Sequence, residues 1–369
     1  MKKRIISLFL VLVMITSVLV GCNKPATDES TSIKETATNL VEETKLVDMA
    51  GREIVIPEEV NTVFSTGAVG TILLYSLAPE KMAGWNYSLR ESEKGFIDEK
   101  LHDLPNLGGA GKETVNLEEL LKVNPDVLFS MGKIDATSIS QIEEMEDQLG
   151  KQIIIIDDDI NKLDEAYLLL GKVLGTEENA KKLGEYCRTV LDDVAKKSAT
   201  ITDDMKVGLY YAEGPDGLQS EPAGTMHASV IEMVGGKNVF QLETQEQGAV
   251  GKSEVSIEQV LEWDPEIIIS WDDERGGYFS GIQEDPVWKD IKAVKNNEVY
   301  EIPNQPFNWF DRPPSVNRIL GLQWLGNLLY PDIYDYNMEE VVKEFYSSFY
   351  HMDLTQAQLD QLFLNTIRK

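Results

Sequence analysis

One fifteen-residue pattern is written twice, once in each half of the chain: Asn116 to Ser130 reads NLEELLKVNPDVLFS and Ser256 to Ser270 reads SIEQVLEWDPEIIIS. Each copy opens on a helix N-cap residue, Asn116 or Ser256, with Glu119 or Gln259 three positions on in the reach-back place of a capping box. Each then runs through a short amphipathic helix to an Asn-Pro or Asp-Pro stop, because the residue before proline is driven out of the helical region. A wholly apolar run follows, Val127 to Phe129 or Ile267 to Ile269, and reads as a buried strand. The copies lie 140 positions apart, whereas solenoid repeats recur every 20 to 50 residues or so. The pattern therefore predicts two similar α/β lobes, and it sets Glu118 and Glu258 at corresponding points of the two.

Lys2, Lys3 and Arg4 precede an apolar run from Ile5 to Val20 that ends in Leu19-Val20-Gly21-Cys22. A basic start, a short apolar stretch and small residues at the cut describe a secretory signal over residues 1–21. The run is shorter than the roughly 20 residues that a membrane span needs. Cys22 stands where bacterial lipoboxes place the cysteine that becomes the lipidated mature N-terminus; the alternative is an ordinary signal peptide with an incidental cysteine. Residues 22–44 are rich in Thr, Ser, Glu, Asp and Lys and read as a flexible tether. Cys187 is the only other cysteine; with Cys22 at the lipobox, a structural disulfide is excluded and Cys187 reads as a buried core thiol. The formal charge is −29 and falls to −32 once the three cations of the signal are removed. Such a surface disfavours nucleic acid and anionic lipid.

The mature length fits two domains. In residues 45–161, buried strands are expected at Val63–Thr66, Lys81–Trp85, Asp126–Ser130 and Gln152–Asp157, with helices near Gly70–Leu77, Leu117–Val123 and Ile139–Leu149. This is a β/α lobe with a mainly parallel sheet. Residues 162–199 read as a helical connection, broken at Gly175-Thr176 and restarted by a capping signal at Thr176. Its second part carries Leu183, Tyr186, Cys187, Val190, Leu191 and Val194 at helical spacing, and it is long enough to bridge two lobes at about 1.5 Å per residue. The second lobe spans 200–330, with strands at Met205–Ala212 and Val299–Ile302 and a helix from Arg312 to Leu329. Residues 331–369 form a helical tail, Met338 to Ile367, whose Val341, Val342, Phe345, Phe349 and Tyr350 are expected to pack on that lobe.

With the lipobox and the paired repeats, Gly235-Gly236-Lys237-Asn238-Val239-Phe240 and the stretch Asn308 to Ser315 complete a pattern that resembles the substrate-binding lipoproteins of ABC importers for iron chelates, haem, cobalamin and related metal compounds. The resemblance covers nearly all of the mature chain. It implies two β/α lobes joined by one rigid helix, with the ligand between them, and it implies that Glu118 and Glu258 dock on arginines of the permease. The plainer alternative is that each carboxylate only steadies a helix N-terminus, worth about 0.3–1 kcal/mol.

Ligands of α/β lobes sit beyond the carboxyl ends of strands. The first strand runs into Ser65-Thr66-Gly67, a small loop that opens a helix whose free N–H groups suit an anion; the alternative is a tight turn. The second ends at Trp85, with Tyr87 and Arg90 beyond. In the second lobe the strand ends bring Thr225, His227, Trp271, Arg275, Trp309 and Arg312. Aromatic residues at several strand ends suit a large organic ligand, and arginines supply charge-assisted donors for its oxygens. His227 fits a helix cap, an anion donor or a coordinator of a chelated metal, with a structural role as the alternative. Three histidines and no His-x-x-x-His or cysteine pair leave no bare transition-metal site.

The reading is an extracytoplasmic, lipid-anchored, monomeric receptor that delivers a chelated metal, foremost a ferric siderophore, to an ABC permease dimer with a cytoplasmic ATPase, and uses no cofactor. Molybdate or tungstate, haem and corrinoids are alternatives within the same family. An extracytoplasmic enzyme on a two-lobed α/β fold and a structural lipoprotein are alternatives of other classes. The sequence holds no G-x-S-x-G, H-E-x-x-H or Walker motif for the former.

Overall fold

In the computed structural model, which describes residues 44–111, 113–241 and 252–368, the two copies of the repeat fold into the same unit. The signal segment, Cys22 and residues 23–43 lie outside the described residues. The first lobe opens with a hairpin, β1 (Thr44–Val47) and β2 (Glu53–Ile56), followed by β3 (Val63–Ser65), α1 (Ala68–Leu77) and the short α2 (Glu91–Lys94). Next come α3 (Leu117–Val123) and β4 (Val127–Gly132), the first repeat, and then α4 (Ala136–Leu149) and β5 (Ile153–Asp157). Strands β3, β4 and β5 form a parallel sheet with β4 in the middle.

The second lobe holds β6 (Gly208–Ala212), β7 (Gln219–Ser220), α7 (Ser229–Met233), β8 (Lys237–Asn238) and β9 (Ser253–Glu254). The second repeat, α8 (Ile257–Trp263) and β10 (Ile267–Ser270), leads to α9 (Phe279–Glu284), α10 (Lys292–Lys295), β11 (Val299–Glu301) and α11 (Asn317–Leu329). The order β11-β10-β6-β8 is again parallel, with the repeat strand flanked on both sides.

The caps explain the likeness of the two units. Asn116 Oδ1 accepts from Glu119 N at 3.2 Å, and Ser256 Oγ accepts from Gln259 N at 3.3 Å while Gln259 Oε1 accepts from Ser256 N at 2.9 Å. Both helices end on a left-handed residue before proline, Asn124 (φ 52°) and Asp264 (φ 42°). Each repeat strand then sends alternate residues to opposite faces of its sheet. Val127 and Phe129, like Ile267 and Ile269, enter one continuous core that also takes in Leu183, Cys187 and Val190. Leu128 and Ile268 enter separate outer clusters.

The connection is α5 (Leu163–Leu174) and α6 (Glu177–Ser198), separated by left-handed Gly175. The cap expected at Thr176 does not form: its hydroxyl is buried without a partner. Cys187 is buried and free. The stretch Lys81–Trp85, expected as a strand, makes only single bridges, Val63 to Met82 and Trp85 to Asn106. A 3₁₀ turn occupies Pro79–Lys81, and Gly84 passes so close to Pro105 that a Cβ there would lie 2.7 Å from its carbonyl oxygen. The helix expected from Arg312 starts at Asn317, in keeping with Pro313 and Pro314, since a proline disfavours the helical conformation in the residue before it.

The tail forms α12 (Met338–Phe349) and α13 (Gln356–Phe363), split at left-handed His351. It was expected on the second lobe alone, but it also closes the first. The rings of Tyr350 and His351 lie 6.1 and 6.0 Å from that of Tyr75 in α1, whose hydroxyl donates to Tyr350 O at 3.0 Å. Phe349 packs 5.2 Å from Tyr186 of α6, and Trp324 of α11 donates to Thr366 O at 2.7 Å. Among the described residues no helix is long and apolar enough to cross a membrane.

Candidate functional site

The ends of β3 and β10 face a cavity of about 850 Å³ whose walls come from both lobes. From the first lobe, Gly67, Ala68 and Val69 at the start of α1 line it, with Tyr87, Arg90 and Glu93. The start of α1 has no side-chain cap and no acidic residue in its first turn, so its unpaired N–H groups carry the positive end of the helix dipole. The loop Gly109 to Gly111 forms a further wall. Gly109 adopts φ 99°, and a Cβ there would meet Thr66 O at 2.4 Å, so only glycine lets this loop lie against the first strand turn.

From the second lobe come His227, Trp271, Arg275, Asn304, Phe307 and Arg312. A hydrogen-bonded chain fixes two of them, Trp271 and His227. Trp271 Nε1 donates to Tyr211 OH at 2.6 Å, Tyr211 OH donates to Asp311 Oδ1 at 2.8 Å, and Asp311 Oδ2 lies 3.1 Å from His227 Nδ1. With Nδ1 committed to Asp311, the imidazole keeps Nε2 for a ligand. Arg312 is gripped by carboxylates: Nε lies 3.2 Å from both Glu213 Oε1 and Asp311 Oδ2, and Nη2 lies 2.5 Å from Glu221 Oε1. Glu213 and Glu221 are fully buried, and each keeps one oxygen without a partner. Burial first, then the Asp311 charge, pushes the Glu213 carboxyl up to about 7 against the pull of Arg312 and Lys252. Lys252 also sits 3.9 Å above the Trp271 ring.

Arg275 ties the lobes together. Its Nη2 lies 3.2 Å from Glu93 Oε1 of the first lobe and donates to Asn304 O at 2.8 Å, while Nη1 lies 3.2 Å from Asp272 Oδ2. Glu93 also holds Arg90 at 3.1 Å, and Ser92 Oγ donates to Glu274 Oε1 at 3.0 Å across the same seam.

Six of the expected ligand residues therefore meet in the cavity: Tyr87, Arg90, His227, Trp271, Arg275 and Arg312. Five do not. Trp85 is buried, donates from Nε1 to Leu101 O at 2.8 Å and packs on Tyr75. Trp309 is buried with Nε1 on Tyr346 OH at 3.2 Å. Ser65 is buried and its hydroxyl donates to Gly67 O at 2.8 Å; Thr66 is buried beside it, its N–H on Phe129 O at 2.8 Å. Thr225 closes a turn, donating to Pro222 O at 3.0 Å and accepting from Ala228 N at 3.3 Å. Glu93, Phe307, the Gly109 loop and the carboxylates around Arg312 were not foreseen as a set. The run Gly108-Gly109-Ala110-Gly111 was the one sequence signal for any of them. Glu118 and Glu258 both stand exposed at the second position of their helices.

The model of the periplasmic binding protein family matches residues 78–306 of the chain. The ABC transporter substrate-binding lipoprotein YvrC of Bacillus subtilis is 21% identical over 343 residues, 90% of this chain and 99% of that protein. The molybdate-binding protein MolA of Haemophilus influenzae is 24% identical over 83% of this chain and 90% of its own length. Among solved structures, an ABC transporter solute binding protein from Sulfurospirillum deleyianum is 30% identical with a TM-score of 0.79, covering 87% of this chain and 99% of that one.

Proposed function

This chain belongs to the periplasmic binding protein family, a solute-binding protein for ABC import and not an enzyme, and from that premise we propose that its ligand is an anionic metal chelate, foremost a ferric siderophore. The cavity carries this reading. Its volume of about 850 Å³ lies within the roughly 300–1,000 Å³ of organic ligand sites. A tetrahedral oxyanion would displace only a few waters, each about 30 Å³ of liquid. Tyr87 and Trp271 supply an aromatic wall from each lobe, and the open end of α1 with Arg90, Arg312 and His227 supplies donors for chelate oxygens. Glu118 and Glu258 would dock the loaded protein on a permease dimer, and a lipidated Cys22 would hold it at the membrane.

One observation favours a second reading. The uncapped α1 terminus, free of acidic residues, opens into the same cavity as His227 and Arg312, a donor set that would also suit molybdate or tungstate, and MolA is named for binding molybdate. Native mass spectrometry separates the two, on the soluble chain lacking Cys22 incubated with ferric siderophores, haem, cobalamin, molybdate and tungstate. A retained ferric chelate supports the first reading. A retained oxyanion overturns it in favour of the second, retained haem keeps the anionic chelate and overturns the siderophore, and retained cobalamin overturns both readings.

A further inference from the structure

Among the exposed apolar side chains, two fall at the same step of the repeated unit: Leu121 on α3 is 51% exposed and Leu261 on α8 is 38% exposed. Each stands three residues after its lobe's exposed glutamate, so Leu121 shares a helix face with Glu118 and Leu261 with Glu258. Their immediate predecessors, Leu120 and Val260, are buried at 1% and 0%, so each helix already anchors itself to its lobe without the outward leucine. Helix formation does not require leucine there either, since Lys, Arg, Gln and Glu serve almost as well. A single exposed leucine is ordinary. The same leucine beside the same carboxylate on both lobes asks for a partner that reads both.

We propose that Leu121 and Leu261 complete, with Glu118 and Glu258, a two-point docking surface for the importer's permease dimer, each subunit of which offers a basic side chain beside an apolar pit. This rests on the docking reading of the two glutamates. Duplication of the patch calls for a partner that presents one socket twice, which is the property of a two-fold dimer. Its acidic half calls for a basic socket. A second copy of this chain would set acid against acid, and the chain's charge of −29 opposes an anionic bilayer. An exposed ion pair contributes little in water; an apolar rim that closes over it removes the water and strengthens it.

The test uses the full chain with a photo-crosslinking amino acid in place of Leu121 or of Leu261, irradiated in cells of the source bacterium, with crosslinked products identified by mass spectrometry. Both positions are expected to capture the same multi-spanning importer subunit. Capture of lipid, of a second copy of the chain, or of no importer subunit overturns the proposal. Binding of the full chain to that importer in nanodiscs is then compared for three forms: wild type, Leu121→Asn with Leu261→Asn, and Glu118→Gln with Glu258→Gln. The leucine pair is expected to weaken binding about a hundredfold, some tenfold for each side chain, with the melting temperature unchanged. Wild-type affinity in the leucine variant alongside loss in the glutamate variant would overturn the leucine role and keep the docking reading. Wild-type affinity in both would overturn the two together.

Discussion

Trp85 and Trp271 both follow stretches that read as strands, yet only Trp271 reaches the cavity. Trp85→Ala should lose about 3–5 kcal/mol of stability, as large aromatics removed from cores do, which urea denaturation would record. Trp271→Ala should lose ligand affinity instead, and equal damage to stability by both would contradict the assignment. Glu213 makes a second prediction at this scale. Its carboxyl is held at about 7 in the folded protein against an ordinary value of 4.5. The native state therefore binds more protons than the unfolded state between those values, so this group lowers stability as pH rises from about 4.5 to 7. Glu213→Gln imitates the protonated acid. It should remove the fall in stability that this group causes as pH rises from about 4.5 to 7, and change little below pH 4.5. An undiminished slope of melting temperature against pH in the variant would refute the argument. The site was legible in the sequence as a set of strand ends, but not in the rotation of each side chain. Beyond the last ladder pair no period of two fixes which way Trp85 or Thr225 points. Two of the three carboxylates that grip Arg312, Glu221 and Glu213, come from 91 and 99 positions away, a distance no local pattern spans.

At the scale of the element, α3 and α8 were the most legible parts of the chain, because cap, amphipathic face and proline stop all agree in each. Their differences are informative as well. Lys122 lies 2.9 Å from both Glu118 and Glu119, whereas the matching position on α8 is Glu262. Glu118 thus stands partly neutralised and Glu258 does not. If both dock, replacing the pair by alanine should abolish uptake and leave ligand affinity intact, with Glu258→Ala the more damaging single change in a cell-based import assay. The left-handed C-caps offer a stability test. Asn124→Gly should stabilise by up to about 1 kcal/mol by removing the penalty of a Cβ at positive φ. Asp264→Gly should not, because Asp264 Oδ1 accepts from Lys292 N at 2.8 Å. Elements whose ends depend on irregular neighbours were read less well. The late start of α11 follows from two prolines visible in the sequence, but the failure of Lys81–Trp85 to form a strand depends on how Pro105 approaches Gly84.

For the whole molecule, the two similar lobes were legible in the repeat, while their shared core was not. Side chains of both lobes join α6 in one apolar body, and the Glu93–Arg275 pair spans the seam at the cavity. Ligand binding should therefore leave the radius of gyration in small-angle scattering unchanged within error, and a marked contraction would contradict this. The tail adds a consequence of a different kind. Tyr75 in α1 is closed by Tyr350, 275 positions later, so the packing of the first lobe is completed by a contact of very long sequence separation. Topologies rich in such contacts fold slowly. The first lobe should therefore be slow to become rigid, since it draws its final order from a segment far from it in the chain.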